Sequence, residues 1–208
     1  GFAPNIYNLG PEYGLASIDL THRFLVSGSY ELPFGKGKAL LNTGGLVDRV
    51  VGGWQVNFIG TVQSGYPLSI TQSSNNTNAY SSGQRPNLVA GQTILADNAL
   101  QRALSPNASD GGYFNAAAFT NAAASTFGTL SRTLDVRGPG QGNWDIGVTK
   151  DTTIFESFKA QFRMEAINAF NTPVFRAPNT TFGSSSFGKI TAQANFARVV
   201  QLSLRLIW

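Results

Sequence analysis

The sequence predicts an all-β chain of long antiparallel strands, and three observations carry that expectation. Five segments alternate apolar and polar residues with period 2, the pattern of strands that set one face in an apolar medium and the other in water. These segments reach the ~9–11 residues that a tilted strand needs to cross a bilayer, whereas strands of soluble proteins are mostly about 5–6 residues long. The connections between them alternate between short and long, as they do in transmembrane barrels. Strands are expected near residues 22–32, 54–71, 143–150, 157–170 and 198–208, with a long outer loop over 72–142.

In the first strand Phe24, Val26, Gly28, Tyr30 and Leu32 lie on one face, and Leu25, Ser27, Ser29 and Glu31 on the other. The segment that follows carries Leu40, Leu41, Leu46, Val47, Val50 and Val51, which could form a short amphipathic helix at a membrane surface or an ordinary packed loop. The second strand sets Trp54, Val56, Phe58, Gly60 and Val62 against Gln55, Asn57, Ile59 and Thr61. The third opposes Trp144, Ile146 and Val148 to Asp145, Gly147 and Thr149. The clearest alternation is in the fourth, with Phe158, Ala160, Phe162, Met164 and Ala166 against Lys159, Gln161, Arg163 and Glu165. The fifth sets Val200, Leu202, Leu204, Leu206 and Trp208 against Gln201, Ser203, Arg205 and Ile207.

Such strands suit a soluble sandwich, apolar face inward, or a membrane barrel, apolar face to lipid and polar face to a wet lumen. The polar faces use Gln, Asn, Ser and Thr as much as charge, which favours the lumen. With Trp208 at the periplasmic edge, the short connection Asp151–Ser157 falls in the periplasm, while Gln72–Asn143 and Asn171–Ala197 fall outside. Leu32–Gly53 is a long periplasmic exception. Tyr30, Phe34, Trp54, Phe155, Phe158 and Trp208 then form a periplasmic aromatic belt, and Phe24, Tyr66, Trp144 and Phe170 an outer one. Lys150 has lipid-facing parity, so it either snorkels at the interface or marks a bulge that resets the register.

Composition excludes several kinds of chemistry. The chain has 208 residues, no Cys and a single His, so a thiol nucleophile, a disulfide framework and a His-rich zinc site are out. His22 lacks an evident partner to orient it as a base and reads as a strand-capping interfacial residue. Only 12% of residues are charged, and the net charge of +4 is scattered, which argues against a nucleic-acid partner. Asp97, Asp110 and the stretch Ser73–Ser82 offer oxygen ligands but no EF-hand spacing, so they read as a solvated loop. The glycine-rich Gly138–Gly142 precedes a strand and reads as a turn, not a phosphate cradle. No nucleophile–base or paired-carboxylate arrangement stands out; neither enzyme activity nor a cofactor is expected.

Five strands do not close a barrel, since at least eight are needed. The chain is therefore expected to be the C-terminal part of a larger one, cut from a longer precursor. Short strings carry a family likeness: HRFLVSGSYELPFGKGK, Gly53-Trp54-Gln55-Val56, Ser64-Gly65-Tyr66-Pro67 and Arg85-Pro86-Asn87-Leu88, in that order. Tyr113-Phe114-Asn115 with Ala118-Phe119, Arg137-Gly138-Pro139-Gly140 with Asn143-Trp144-Asp145, QFRMEAINAFNTPVF and Phe187-Gly188-Lys189-Ile190-Thr191 follow. This series resembles the C-terminal barrel region of Oar-like TonB-dependent receptors, outer-membrane transporters of the acidobacterial type. The resemblance implies a barrel of about 22 strands with a plugged lumen, an upstream plug domain, energy delivered through TonB, and Trp208 as the signal read by the barrel-assembly machinery.

On this reading Glu31, Asp145, Lys159, Arg163, Glu165 and Arg205 face the lumen, where plug contact and solvation are their first roles. Ligand contact is expected in the long outer loop, where Tyr80, Arg85, Asn87, Tyr113, Phe114 and Asn115 could stack against and hydrogen-bond a sugar or peptide. Two alternatives stay open: a passive pore or adhesin built on the same barrel, and a soluble secreted carbohydrate-binding β-sandwich.

Overall fold

The structure, a computed structural model, describes residues 3–75, 84–106, 111–155 and 157–208. In chain order its elements are β1 (Arg23–Glu31), α1 (Leu46–Val51), β2 (Trp54–Gln63), β3 (Thr71–Gln72), β4 (Asn87–Leu88) and α2 (Ala99–Leu104). β5 (Phe119–Thr120), β6 (Gln141–Phe155), β7 (Phe158–Ile167), β8 (Thr181–Phe182) and β9 (Val199–Ile207) complete them. The chain divides into two compact units. One comprises Arg23–Gln63, Gln141–Val174 and Asn195–Trp208, and the other Gly1–His22, Ser64–Gly140 and Phe175–Ala194.

The first unit is a five-stranded sheet in the order β1-β2-β6-β7-β9, every neighbouring pair antiparallel. Residues paired directly across strands share a face, so the register sorts the sheet into rows. One face carries the row Tyr30, Val56, Val148, Met164, Leu202, and the other carries Glu31, Gln55, Thr149, Arg163, Ser203. The alternation of all five strands is thus in phase, even positions on one face and odd on the other. Two of the apolar rows contain a glycine beside an aromatic. A Cβ on Gly28 would stand 2.7 Å from the Phe58 ring, and one on Gly60 would stand 2.6 Å from the Trp144 indole. Each ring lies flat over the space its neighbour leaves empty.

Strand limits differ from expectation in three places. β2 stops at Gln63, not near residue 71, because Pro67 has no N–H for a ladder and the Gly65 backbone abuts the Gly138 carbonyl. The segment beyond still pairs irregularly with residues 134–138, through Gly138 N–H to Tyr66 O (2.9 Å) and Leu68 N–H to Val136 O (2.9 Å). β6 is longer than expected, 15 residues through Phe155, so the strand runs on into the connection expected at Asp151–Ser157. A register shift between Thr153 and Phe155 accompanies it, and Phe155 stacks on Phe158 at 5.2 Å. β7 ends at Ile167, short of 170, because Asn168 turns left-handed at φ +52°.

The second unit corrects the picture of residues 72–142 as an open loop. Their described residues up to Gly140 fold with segments 3–22 and 175–194 around a core of Leu68, Ile70, Ala103, Tyr113, Phe114, Ala118, Phe119, Leu130, Leu134, Phe187 and Ile190. Phe114 is fully buried at its centre, stacked on Phe187 at 5.1 Å and edge-on to Tyr113 and Phe119. Four two-residue strands supply the hydrogen-bonded ladder among the described residues here: β3 pairs in parallel with β8, and β4 antiparallel with β5. Partly buried ion pairs hold the N-terminal segment to this core: Arg85 with Glu12, and Arg137 with Asp19, whose backbone carbonyl also accepts from Arg137 at 2.9 Å.

Candidate functional site

The odd-numbered face of the sheet forms a trough of about 820 Å³ whose lining sets polar side chains such as Gln55, Asp151, Gln161, Arg163 and Glu165 beside Ile59 and Ile167. Its side chains pair across and along strands. Gln161 donates to Asp151 at 2.9 Å, Gln63 to Gln141 at 3.1 Å, and Gln55 to Ser29. Arg163 and Glu165, two residues apart on β7 and therefore on the same face, form an ion pair at 3.4 Å. Asp145 accepts from Asn143 (3.0 Å) and from the backbone N–H of Asn168 (2.8 Å), so this carboxylate also ties the end of β7 to the trough. Glu31 lies in the same register row as Gln55 and pairs with Lys38 at 2.6 Å. Lys159 and Arg205 share this face, opposite Thr153 and Gln161 respectively. Glu31, Asp145, Lys159, Arg163, Glu165 and Arg205 thus share one face of the sheet.

The even-numbered face carries an apolar surface with nothing covering it. Phe24, Tyr30, Val200, Leu202 and Leu204 are all more than half exposed, and Trp208 is 89% exposed. A soluble sandwich would bury this face against a second sheet, and the sheet unit contains no second sheet. Lys150 stands within this face, between Trp54 and Phe162, with no bulge at its own position. Its ammonium donates to the Gly52 carbonyl at 2.6 Å and sits 5.0 Å from the centre of the Trp54 ring. The charge thus finds a carbonyl and a π-face at the sheet's end, which is how a lysine is accommodated beside lipid.

The residues proposed for ligand contact have other partners. Tyr113 and Phe114 are core, 7% and 0% exposed. The Tyr113 hydroxyl donates to Arg137 O at 2.9 Å, and burial pushes its phenol above the ordinary tyrosine value. Arg85 is spent on Glu12 and the Pro11 carbonyl. Asn87 accepts from Thr129 N–H at 3.0 Å, and Asn115 caps the 3-10 turn that follows it through Ala117 N–H at 3.1 Å. Tyr80 lies outside the described residues, as does Asp110. His22 donates its backbone N–H to the Ser64 hydroxyl at 3.2 Å and its carbonyl accepts from Ser64 N–H at 2.9 Å, and no group of three or more His, Asp or Glu gathers among the described residues. Asn168 was missed: its side chain donates to Thr172 O and Phe196 O and accepts from Thr172 N–H, fixing the turn after β7. Two asparagines framing Ala169-Phe170 were the available signal, since Asn tolerates positive φ and Asn168 and Asn171 both adopt it.

A sheet polar and hollowed on one face, bare and apolar on the other, is a piece of the wall of a β-barrel that sits in lipid. Residues 1–201 match the outer membrane beta barrel domain family, and the chain belongs to it. It resides in the bacterial outer membrane. No curated protein and no solved structure matches the chain.

Proposed function

We propose that this chain forms part of the wall and outer loops of a TonB-dependent receptor that imports a substrate across the outer membrane, without enzymatic chemistry. The observation that carries this reading is the folded unit built from the outer connections. The segments following β2 and β7 leave one end of the sheet and build an aromatic core of their own, far more structure than a bare wall needs. The ordered series of short motifs supports it, because those motifs fall on structural joints: Arg85, Arg137, Phe114 and Phe187 all hold that unit together. The partners on this reading are outer-membrane lipid at the apolar face, a plug domain of the same protein against the polar trough, the TonB system, and the barrel-assembly machinery.

The test is substrate uptake by cells producing the full-length protein, with and without a functional TonB. Uptake that stops when TonB is removed is the expected result. Flux that persists without TonB, together with steady conductance in a planar bilayer, overturns the proposal in favour of a passive pore.

A further inference from the structure

The segment between β1 and β2 carries features that a barrel wall alone does not require. It forms α1, a single six-residue turn of helix whose apolar side chains point outward. Leu46 and Val50 are 78% and 68% exposed, and Leu40, Leu41 and Val47 beside them are each about half exposed. A soluble protein would turn these residues inward or replace them.

This helix is tied to the lipid-facing side of the sheet. Trp54 and Lys150, adjacent on the apolar face, reach its end: the indole donates to Val50 O at 3.0 Å and the ammonium to Gly52 O at 2.6 Å. Arg49 donates to Ile154 O at 3.3 Å, tying the helix to the end of β6 as well. Inside the segment, Asp48 accepts from the backbone N–H of Lys36 at 2.6 Å, which closes the loop on itself. The exposed leucines and valines therefore adjoin the membrane-facing surface at the end of the sheet where Trp54 and Lys150 lie. Charge agrees with this placement, because the segment carries Lys36, Lys38 and Arg49 against one carboxylate, Asp48.

We infer that the Leu40–Val51 segment is a membrane-surface anchor that lies at the headgroup boundary, with its leucines and valines among the upper acyl carbons and Lys36 and Arg49 at the phosphates of anionic phospholipid. The inference rests on the outer-membrane reading of the sheet and adds a second, in-plane contact with lipid. An apolar helical face flanked by cations is the kind of surface that binds the bilayer interface by area and charge together.

The experiment uses the full-length protein reconstituted as single barrels in nanodiscs containing phosphatidylglycerol. Residues 1–208 contain no cysteine; with any cysteine elsewhere in the full-length protein replaced by serine, Val47→Cys places one bimane label in this segment, with Leu46→Cys as a second site should the first fail to fold. Leu202→Cys on the apolar face and Gln161→Cys in the trough serve as references. Lipids with a nitroxide near the headgroup should quench the Val47 label more than lipids with a deep nitroxide. The Leu202 label should show the reverse order, and the Gln161 label should lose no emission to either. Exchange of phosphatidylglycerol for phosphatidylcholine, or Lys36→Glu, should weaken quenching at Val47 and leave Leu202 unchanged. A Val47 label untouched by lipid while Leu202 is quenched overturns the anchor, and means that water, a second copy or another protein meets this face. Equal quenching in both lipids overturns the assignment to anionic headgroups. Loss of quenching at Leu202 as well condemns the barrel-wall reading rather than the anchor.

Discussion

At Gly60 the sheet gives up a side chain so that Trp144 can lie flat against the backbone. A methyl group there would stand 2.6 Å from the indole, which is also packed edge-on against Phe170 at 6.2 Å. Gly60→Ala should therefore cost about 1–3 kcal/mol, the usual range for overpacking, read as a lower urea midpoint for unfolding from lipid. The register also decides where a charge is worst. Val148, the centre of the longest strand, shares its row with Leu202, whereas Leu204 shares one with Lys150 and Trp54 near the sheet's end. Leu202→Arg should destabilise the barrel by about 2–4 kcal/mol, as at the bilayer midplane. Leu204→Arg should cost less and Ser203→Arg, in the polar trough, least. Equal losses at Leu202 and Ser203 would contradict the two-faced sheet.

At the scale of elements, the expected loop behaves as a folded body. Phe114 touches Tyr113, Phe119 and Phe187, and its replacement by alanine should remove about 3–5 kcal/mol from that unit. The expected outcome is faster proteolysis within residues 84–140, while the heat-modifiable gel mobility of the barrel persists. Loss of both together would show that the two units stand or fall as one. Asn168 is the joint after β7. Its side chain makes three hydrogen bonds from a left-handed backbone, so Asn168→Ala should cost about 1–3 kcal/mol through the Phe196 carbonyl and Thr172 N–H that lose its amide.

At the scale of the whole molecule, the sheet's two edges matter most. β1 and β9 each pair on one side only, and an unpaired backbone group in hydrocarbon costs several kcal/mol. Residues 1–208 refolded alone in detergent should consequently associate through these edges and elute as oligomers. A monodisperse monomer would mean the edges are protected in some other way. In the complete barrel, further strands would meet both edges, and the trough would become part of a closed lumen.

The sheet was legible because lipid and water impose one rule on every strand, and that rule leaves a trace of period 2 that needs no partner to be read. Five strands, their faces and the exposed apolar side all follow from it, whereas the segment after β1 stayed open between a short helix and a packed loop until the structure placed α1 there. Lys150 could be read as an exception, yet only the structure shows its accommodation by the Gly52 carbonyl and the Trp54 ring, groups brought together by β2–β6 pairing. The fate of Tyr113, Phe114 and Arg85 was not legible. Aromatic and cationic residues in a long polar connection resemble a ligand surface, and whether they face a solute or one another depends on contacts across distant stretches of chain. Phe114 meets Phe187, and Arg85 meets Glu12, at separations that no local pattern encodes. Local periodicity, set by the solvent on either side of a strand, determined the wall of this protein, while long-range burial decided that its outer connections form a core.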